Sequence, residues 1–246
     1  MVRDGLGWFL GRAGYEIKDR SYPLRAPREF FDILQKLGFT PGTVFDVGVG
    51  FGTEWLYEGF PDAYFVLVEA NPQFEPSMVD ICQRYRGEYH IQAAGADAGT
   101  ATLQVNRNFA TSSGLVPLSQ AHAAAMERHN VYRDIEEHDV PVRPLDSLLR
   151  PELARPFLMK LDIEGYEIEA LKGATQLLRE TEVVISEISI RPRFENNMLL
   201  ADFVAFMDSM GFQLFDIIGM TPMSREGPIA YIDGVFVRKD SRLASG

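Results

Sequence analysis

Along the chain, short apolar runs alternate with longer stretches in which hydrophobic residues recur every three or four positions. The runs at 43–47, 64–69, 89–93, 157–161, 182–187, 213–218 and 234–238 are rich in Val, Ile, Leu and Phe and mostly continuous. Continuous apolar runs of this length predict strands covered on both faces. Amphipathic stretches lie between several of them, including 167–178 and 197–210, and predict crossover helices. Before the first strand, Phe30, Phe31, Ile33, Leu34 and Leu37 form one helical stripe ending at Gly38. Repeated strand–helix units predict an α/β fold with a doubly wound, mainly parallel, seven-stranded Rossmann-like sheet.

Two segments break that rhythm. Only "GMTPMSREGPIAYIDG" separates the last two strands. A parallel return needs about a dozen residues and usually a helix, so the last strand is expected to run antiparallel. Residues 95–156 are too long for a simple crossover. There "TATLQV" (100–105) and "HDVPVRPLDSLL" (138–149) flank a helical "LSQAHAAAMERHN". Thr102 and Leu103 to Val105, facing Val140 and Val142, predict an added β-pair. This β-hairpin and helix form an insertion between strands 3 and 4, covering the carboxyl end of the sheet where ligands bind in such folds. The expected organisation is a helical lead-in over 1–40, one domain over 41–240 with the insertion at about 98–150, and a tail at 241–246.

Composition changes this picture only at the margins. With 246 residues, 46% hydrophobic and 24% charged, the chain has the make-up of a globular protein. Its single cysteine, Cys82, excludes an internal disulfide, and no Cys/His cluster has zinc-ligand spacing. A net charge of −11 opposes long-range attraction to nucleic acid or anionic lipid. The apolar patch from Leu6 to Leu10 is interrupted by Gly7 and is too short for a signal core or a membrane span. These features predict a soluble, cytoplasmic protein without nucleic-acid or membrane partners; they leave the oligomeric state open.

The chemistry begins at "VFDVGVGFGTEW", residues 44–55, where Gly48, Gly50 and Gly52 follow the first strand. A dinucleotide loop would place its third glycine at 53, which is Thr53, and no Gly-Lys-Ser/Thr follows. Asp46 at the strand end would repel a pyrophosphate and attract a ligand carrying an ammonium and a sulfonium, such as S-adenosylmethionine (SAM). Glu69, about twenty residues after the first glycine, is placed to accept hydrogen bonds from ribose hydroxyls. The small residues from Ala93 to Ala96, including Ala94 and Gly95, offer a flat surface for adenine, with Asp97 near its amino group. Val49 and Ala70 adjoin these positions on the same cofactor side.

A second constellation lies in "FLMKLDIEGYEIEALKGA". Lys160 sits within the strand, and Asp162 and Glu164, two apart on extended chain, point the same way. Gly165 permits a sharp entry into the helix, whose positive end suits Glu167 and Glu169. Glu187 ends the next strand.

Together "FDVGVGFGT", "LVEANP", "AAGADAGTATL", "VPVRPLDSLL" and "MKLDIEGYEIEALKGA" resemble the FkbM family of SAM-dependent methyltransferases, from about residue 43 to 218. The resemblance implies O-methylation of a hydroxyl on a natural product, sugar or glycolipid. It places Asp46, Gly48, Gly50, Glu69 and Asp162 beside the cofactor, with Asp162 and Glu164 nearest the transfer. Two departures stand out: no small polar residue occupies 49 or 51, and residues 106–138 match no family pattern.

Methyl transfer is an in-line displacement that needs positioning and a base for the acceptor proton. Asp162 or Glu164 is the expected base, with Lys160 a third candidate. Asp162, Glu164 and Glu187 also offer hard oxygen ligands to Mg²⁺ or Ca²⁺. On the acceptor side, Ser112 and Ser113 of "NFATSSGL", His138, Glu187, Arg191 and Arg193 are candidates. His122 and His129 share a helical face, and His90 reads as structural. Two rivals remain. A nicotinamide oxidoreductase would share the sheet and Glu69 but not Asp46, and a non-catalytic SAM-binding protein would lack the second constellation.

Overall fold

A computed structural model describes residues 27–107, 110–120, 122–123, 134–196, 198–222 and 227–245. The main sheet has seven strands in the order β3-β2-β1-β7-β8-β10-β9. They are β1 (Thr43–Val47), β2 (Tyr64–Glu69), β3 (Gly87–Ile91), β7 (Phe157–Leu161), β8 (Thr181–Ser189), β9 (Phe212–Pro222) and β10 (Ile229–Arg238). The first five run parallel, and β10 runs antiparallel to both β8 and β9, as the short final connection requires.

Both faces of the sheet are covered, which explains the continuous apolar runs. Every residue of β1 and of β7 is buried. Phe45, Val47, Met159 and Phe157 pack on one side with α4 (Glu167–Lys172) and α6 (Leu200–Ser209). Val44, Leu67, Leu158 and Ile185 pack on the other, under α1 (Pro27–Lys36), α2 (Glu54–Gly59) and α3 (Glu75–Arg84). The stripe on α1 narrows to Phe30, Phe31 and Leu34; Leu37 is exposed beyond the helix end. Gly38, at φ +83°, supplies the left-handed cap that stops α1. A further described helix, α5 (Leu177–Glu180), is a single turn leading into β8.

The insertion builds more than a hairpin. β5 (Gly99–Asn106) pairs antiparallel with β6 (Ile135–Arg143), and β4 (Ala93–Ala94) adds to β6 in parallel. The run expected as one strand over 89–93 is therefore divided. Its main-sheet part stops at Ile91, Gln92 donates its backbone N–H to Glu69 O at 2.9 Å, and the chain then joins the second sheet. Ala93, Leu103, Val105, Val140 and Val142 give that sheet its own small core. Of the expected insertion helix, residues 118–120 and 122–123 are among the described residues.

Phe157 is fully buried with its ring centroid 5.3 Å from that of Phe45. Phe157→Ala is expected to lose about 3–5 kcal/mol of stability. Urea denaturation would show this as a lower midpoint at unchanged slope.

Candidate active site

β1 is flanked by β2 on one side and β7 on the other, so the chain diverges in opposite directions from the carboxyl ends of β1 and β7. Ligands bind in the crevice at such a switch point. A cavity of about 350 Å³ lies there, with Gly48, Glu69, Ala93, Asp162, Glu187 and Asp233 around its wall.

The glycine loop has its residue types because of what it approaches. Gly48 adopts φ +81°, and a Cβ there would lie 1.9 Å from the Asp162 carbonyl oxygen. Only glycine lets the loop after β1 press against the end of β7. Gly50, at φ +55°, turns its N–H to Glu69 Oε2 at 2.9 Å, while Asn71 N–H donates to Glu69 Oε1 at 2.8 Å. Both carboxylate oxygens are thereby oriented with lone pairs to spare. Burial pushes the Glu69 pKa up, against the pull of these N–H groups and Lys160.

Asp46 does not reach the cavity. Its carboxylate is fully buried behind the loop and accepts a hydrogen bond from the Tyr57 hydroxyl at 2.5 Å. That hydroxyl in turn accepts from Thr53 N–H at 3.0 Å. Lys160 Nζ lies 3.4 Å from Asp46 Oδ1 and 3.5 Å from Asp162 Oδ2, and it donates to Gly48 O at 2.9 Å. The two carboxylates hold Lys160 protonated, raising its pKa although burial opposes the charge. A lysine so held is no base. The expectation that Asp46 meets a ligand directly is corrected: it anchors the loop from beneath.

The turn after β7 is shaped by acids. Glu164 adopts φ +55°, unusual for a residue with a side chain, and Gly165 follows at φ +92° with Phe194 packed where a Cβ would be. Glu167 folds back to accept from the N–H groups of Ile163 and Gly165, both at 3.1 Å, closing the turn. Burial lifts its pKa to about 7. Arg193 reaches across to Glu164 at 3.0 Å and to Glu187, and its guanidinium stacks over the Tyr231 ring at 4.1 Å. Burial lifts Glu164 to about 8, with Arg193 opposing, and raises Glu187 as well.

The expected site residues divide on inspection. Gly48, Val49, Gly50, Glu69, Ala70, Ala94, Lys160, Asp162, Glu164, Glu187 and Ser113 meet at the cavity. Gly95 lies behind it, against Val142, and Asp97 is exposed outside it. His138 is exposed on β6 beside Glu136, although it shares its face of the strand with the buried Val140 and Val142. Arg191 is also exposed; Arg193, two residues on, is the buried arginine. The side chain of Ser112, and His129 entirely, lie outside the described residues. Glu164 and Glu187 close on Arg193, which corrects the expected Asp162–Glu164–Glu187 metal set. No group of three His, Cys, Asp or Glu among the described residues is placed to hold a metal.

Among the lining residues that sequence reasoning missed are Gln92 and Asp233. Gln92 Nε2 is buried with no hydrogen-bond partner among the described residues. Its signal was the end of β3, where the chain changes sheets. Asp233 enters from β10, and nothing local marks it in the sequence.

Lys160→Met leaves Asp46 as an uncompensated buried charge and is expected to destabilise the fold by about 3–5 kcal/mol. Adding Asp46→Asn should recover much of that loss; additive losses in denaturation would refute the pairing. Glu167 has a folded pKa above its unfolded value, so its contribution to stability is complete at low pH. It declines as pH rises from about 4.5 through about 7. Glu167→Gln should flatten that decline between pH 5 and 8, read from urea midpoints at each pH.

Residues 46–214 match the model of the methyltransferase FkbM domain. No curated protein matches the chain in sequence. Among solved structures, magnesium protoporphyrin IX methyltransferase from Synechocystis PCC 6803, with SAM bound, is similar at 14% identity and TM-score 0.44, over 86% of this chain and 79% of that one. The 1,6-didemethyltoxoflavin N1-methyltransferase of Burkholderia thailandensis is similar at 13% identity and TM-score 0.46, over 97% and 88%. Precorrin-6y C5,15-methyltransferase of Geobacter metallireducens gives 13% and 0.42, over 91% and 97%. The family match spans more than half of the chain and includes the glycine loop, Glu69 and the turn after β7; the chain belongs to the FkbM methyltransferase family and is a SAM-dependent methyltransferase.

Proposed function

We propose that the chain methylates a hydroxyl group of a small molecule, a sugar or a natural product, by in-line transfer with a carboxylate taking up the proton. The observation that carries this reading is the polarity of the cavity. Five acidic side chains, Glu69, Asp162, Glu164, Glu187 and Asp233, line it with Lys160; Arg193 balances Glu164 and Glu187 from behind, and an acidic surplus is left. Such a wall attracts a sulfonium and repels a pyrophosphate, which separates this reading from a nicotinamide oxidoreductase. The repulsion comes from the lining acids rather than from Asp46.

The residues present fit SAM. Glu69 is oriented for ribose hydroxyls, and the side-chain amide of Gln92 is a buried donor with no partner among the described residues, beside Ala93 and Ala94 and suited to a ring nitrogen of adenine. Bound there, SAM supplies an electrophilic methyl group on positively charged sulfur and departs as S-adenosylhomocysteine. The protein's share is to hold the acceptor in line, exclude water and receive a proton. Phe51, Trp55 and Phe74 give the cavity an aromatic rim, with the Phe51 and Phe74 rings edge to face at 4.9 Å. The net charge of −11 also supports a small acceptor over nucleic acid. No helix among the described residues is long and apolar enough to cross a membrane.

Calorimetry should show binding of SAM and S-adenosylhomocysteine and none of NAD; NAD binding without SAM would overturn the reading. Glu69→Ala is expected to weaken SAM binding roughly ten- to hundred-fold, as loss of hydrogen bonds to a charged group does. Methyl-labelled SAM incubated with a panel of hydroxylated sugars and phenols should give products labelled on oxygen by mass spectrometry. Label found only on nitrogen or carbon would refute O-methylation.

A further inference from the structure

The cavity's acids differ in how they are held. Glu69 accepts two backbone N–H groups, Asp162 pairs with Lys160, and Glu164 and Glu187 share Arg193. Asp233 alone among the lining carboxylates has no hydrogen bond or ion pair with the described residues. It lies on β10, beyond residues 46–214 that match the family model.

Its placement follows from register. Asp233 pairs with Glu187 of β8 and with Gly219 of β9. Partners in an antiparallel pair project from the same face, so Asp233 stands beside Glu187, three strands along the sheet from β1 and its glycine loop. The carboxylate lies over the bare backbone of Gly219, where a Cβ would be 1.9 Å from Asp233 Oδ2. A side chain at 219 would displace it. Glycine at that position keeps the group where it is and open to the cavity.

We infer that Asp233 is the general base that takes the proton from the acceptor hydroxyl. The inference rests on the O-methylation reading above. As Asp233 accepts the hydroxyl proton, the oxygen electron pair forms the new O–CH₃ bond. The S–CH₃ bond breaks and its pair returns to sulfur. The products are a methyl ether, S-adenosylhomocysteine and a protonated Asp233, which releases its proton to solvent. Burial raises the Asp233 pKa to about 6, with Asp162, just past β7, adding to the rise and Lys160 of β7 opposing it. Glu187 is the acidic neighbour on β8, and Gly219 faces it from β9. A carboxylate so tuned is ionised at neutral pH yet more basic than an ordinary aspartate, as proton abstraction near pH 7 requires.

Asp233→Asn keeps the shape and removes the base. With a hydroxyl compound that the wild type methylates, the variant should lose about 10²–10⁴-fold in kcat, with S-adenosylhomocysteine affinity by calorimetry and melting temperature unchanged. The rise of kcat/KM with an apparent pKa near 6 should vanish, and Asp233→Glu should recover part of the rate. Turnover within about threefold of wild type with that limb intact would overturn the inference and leave O-methylation standing. A wild type that labels no oxygen would overturn the reading itself and this inference with it. Independently of any acceptor, NMR titration of aspartate carboxyl carbons should show one group titrating near pH 6 that is absent from Asp233→Asn. No such group in the wild type would also overturn it.

Discussion

The site depends on one buried ammonium. Lys160 Nζ sits between Asp46, Asp162 and the Gly48 carbonyl, and so fastens the end of β7 to the loop that follows β1. Strand pairing alone brings Asp46 and Lys160 to neighbouring positions. The charge contacts then determine where the loop may go, because a buried cation tolerates few alternative arrangements. Tyr57 completes the knot by covering the other Asp46 oxygen and receiving Thr53 N–H, which ties in the start of α2. Such an ion network is weak evidence for stability in itself. What it does here is hold Gly48 against Asp162 while directing Gly50 N–H to Glu69.

A second knot organises the opposite side of the cavity. Arg193 collects Glu164 and Glu187, and its stacking on Tyr231 links the loop after β8 to β10. Three acids, two in the turn after β7 and one on β8, are thus committed to structural cations, Asp162 to Lys160 and the other two to Arg193. Charge that would otherwise scatter is held in fixed places around the cavity, where preorganised charge needs no reorganisation to act. The acid left outside both knots, Asp233, is free to do chemistry.

Much of this was legible along the chain. Continuous apolar runs marked β1, β2, β7 and β8 because each is buried on both faces, and the short last connection required an antiparallel β10. The spacing from Gly48 to Glu69 was legible for the same reason, as it spans one strand–helix–strand unit. Illegible were the directions in which charged side chains turn. Asp46 looked like a ligand contact, yet its position on a fully buried strand points it beneath the loop toward Lys160. Arg191 and Arg193 were equivalent in sequence, and a two-residue difference at the strand exit leaves one in solvent and the other buried. His138 looked able to reach the crevice, yet it lies exposed on β6 beside Glu136, outside the cavity.

The sequence by itself determined a mainly parallel sheet with an antiparallel last strand, the glycine loop and the family, since these depend on local periodicity and on short-range spacing. Only the tertiary structure decided which acids are tied and which is free. Asp46 and Lys160 are 114 residues apart, as the structure joins them, by strand pairing between β1 and β7. Asp233 meets Asp162 and Glu187 only when a hairpin from the end of the chain pairs with β8. Pairing over such distances is set by the packing of the whole sheet, and no window of sequence contains it.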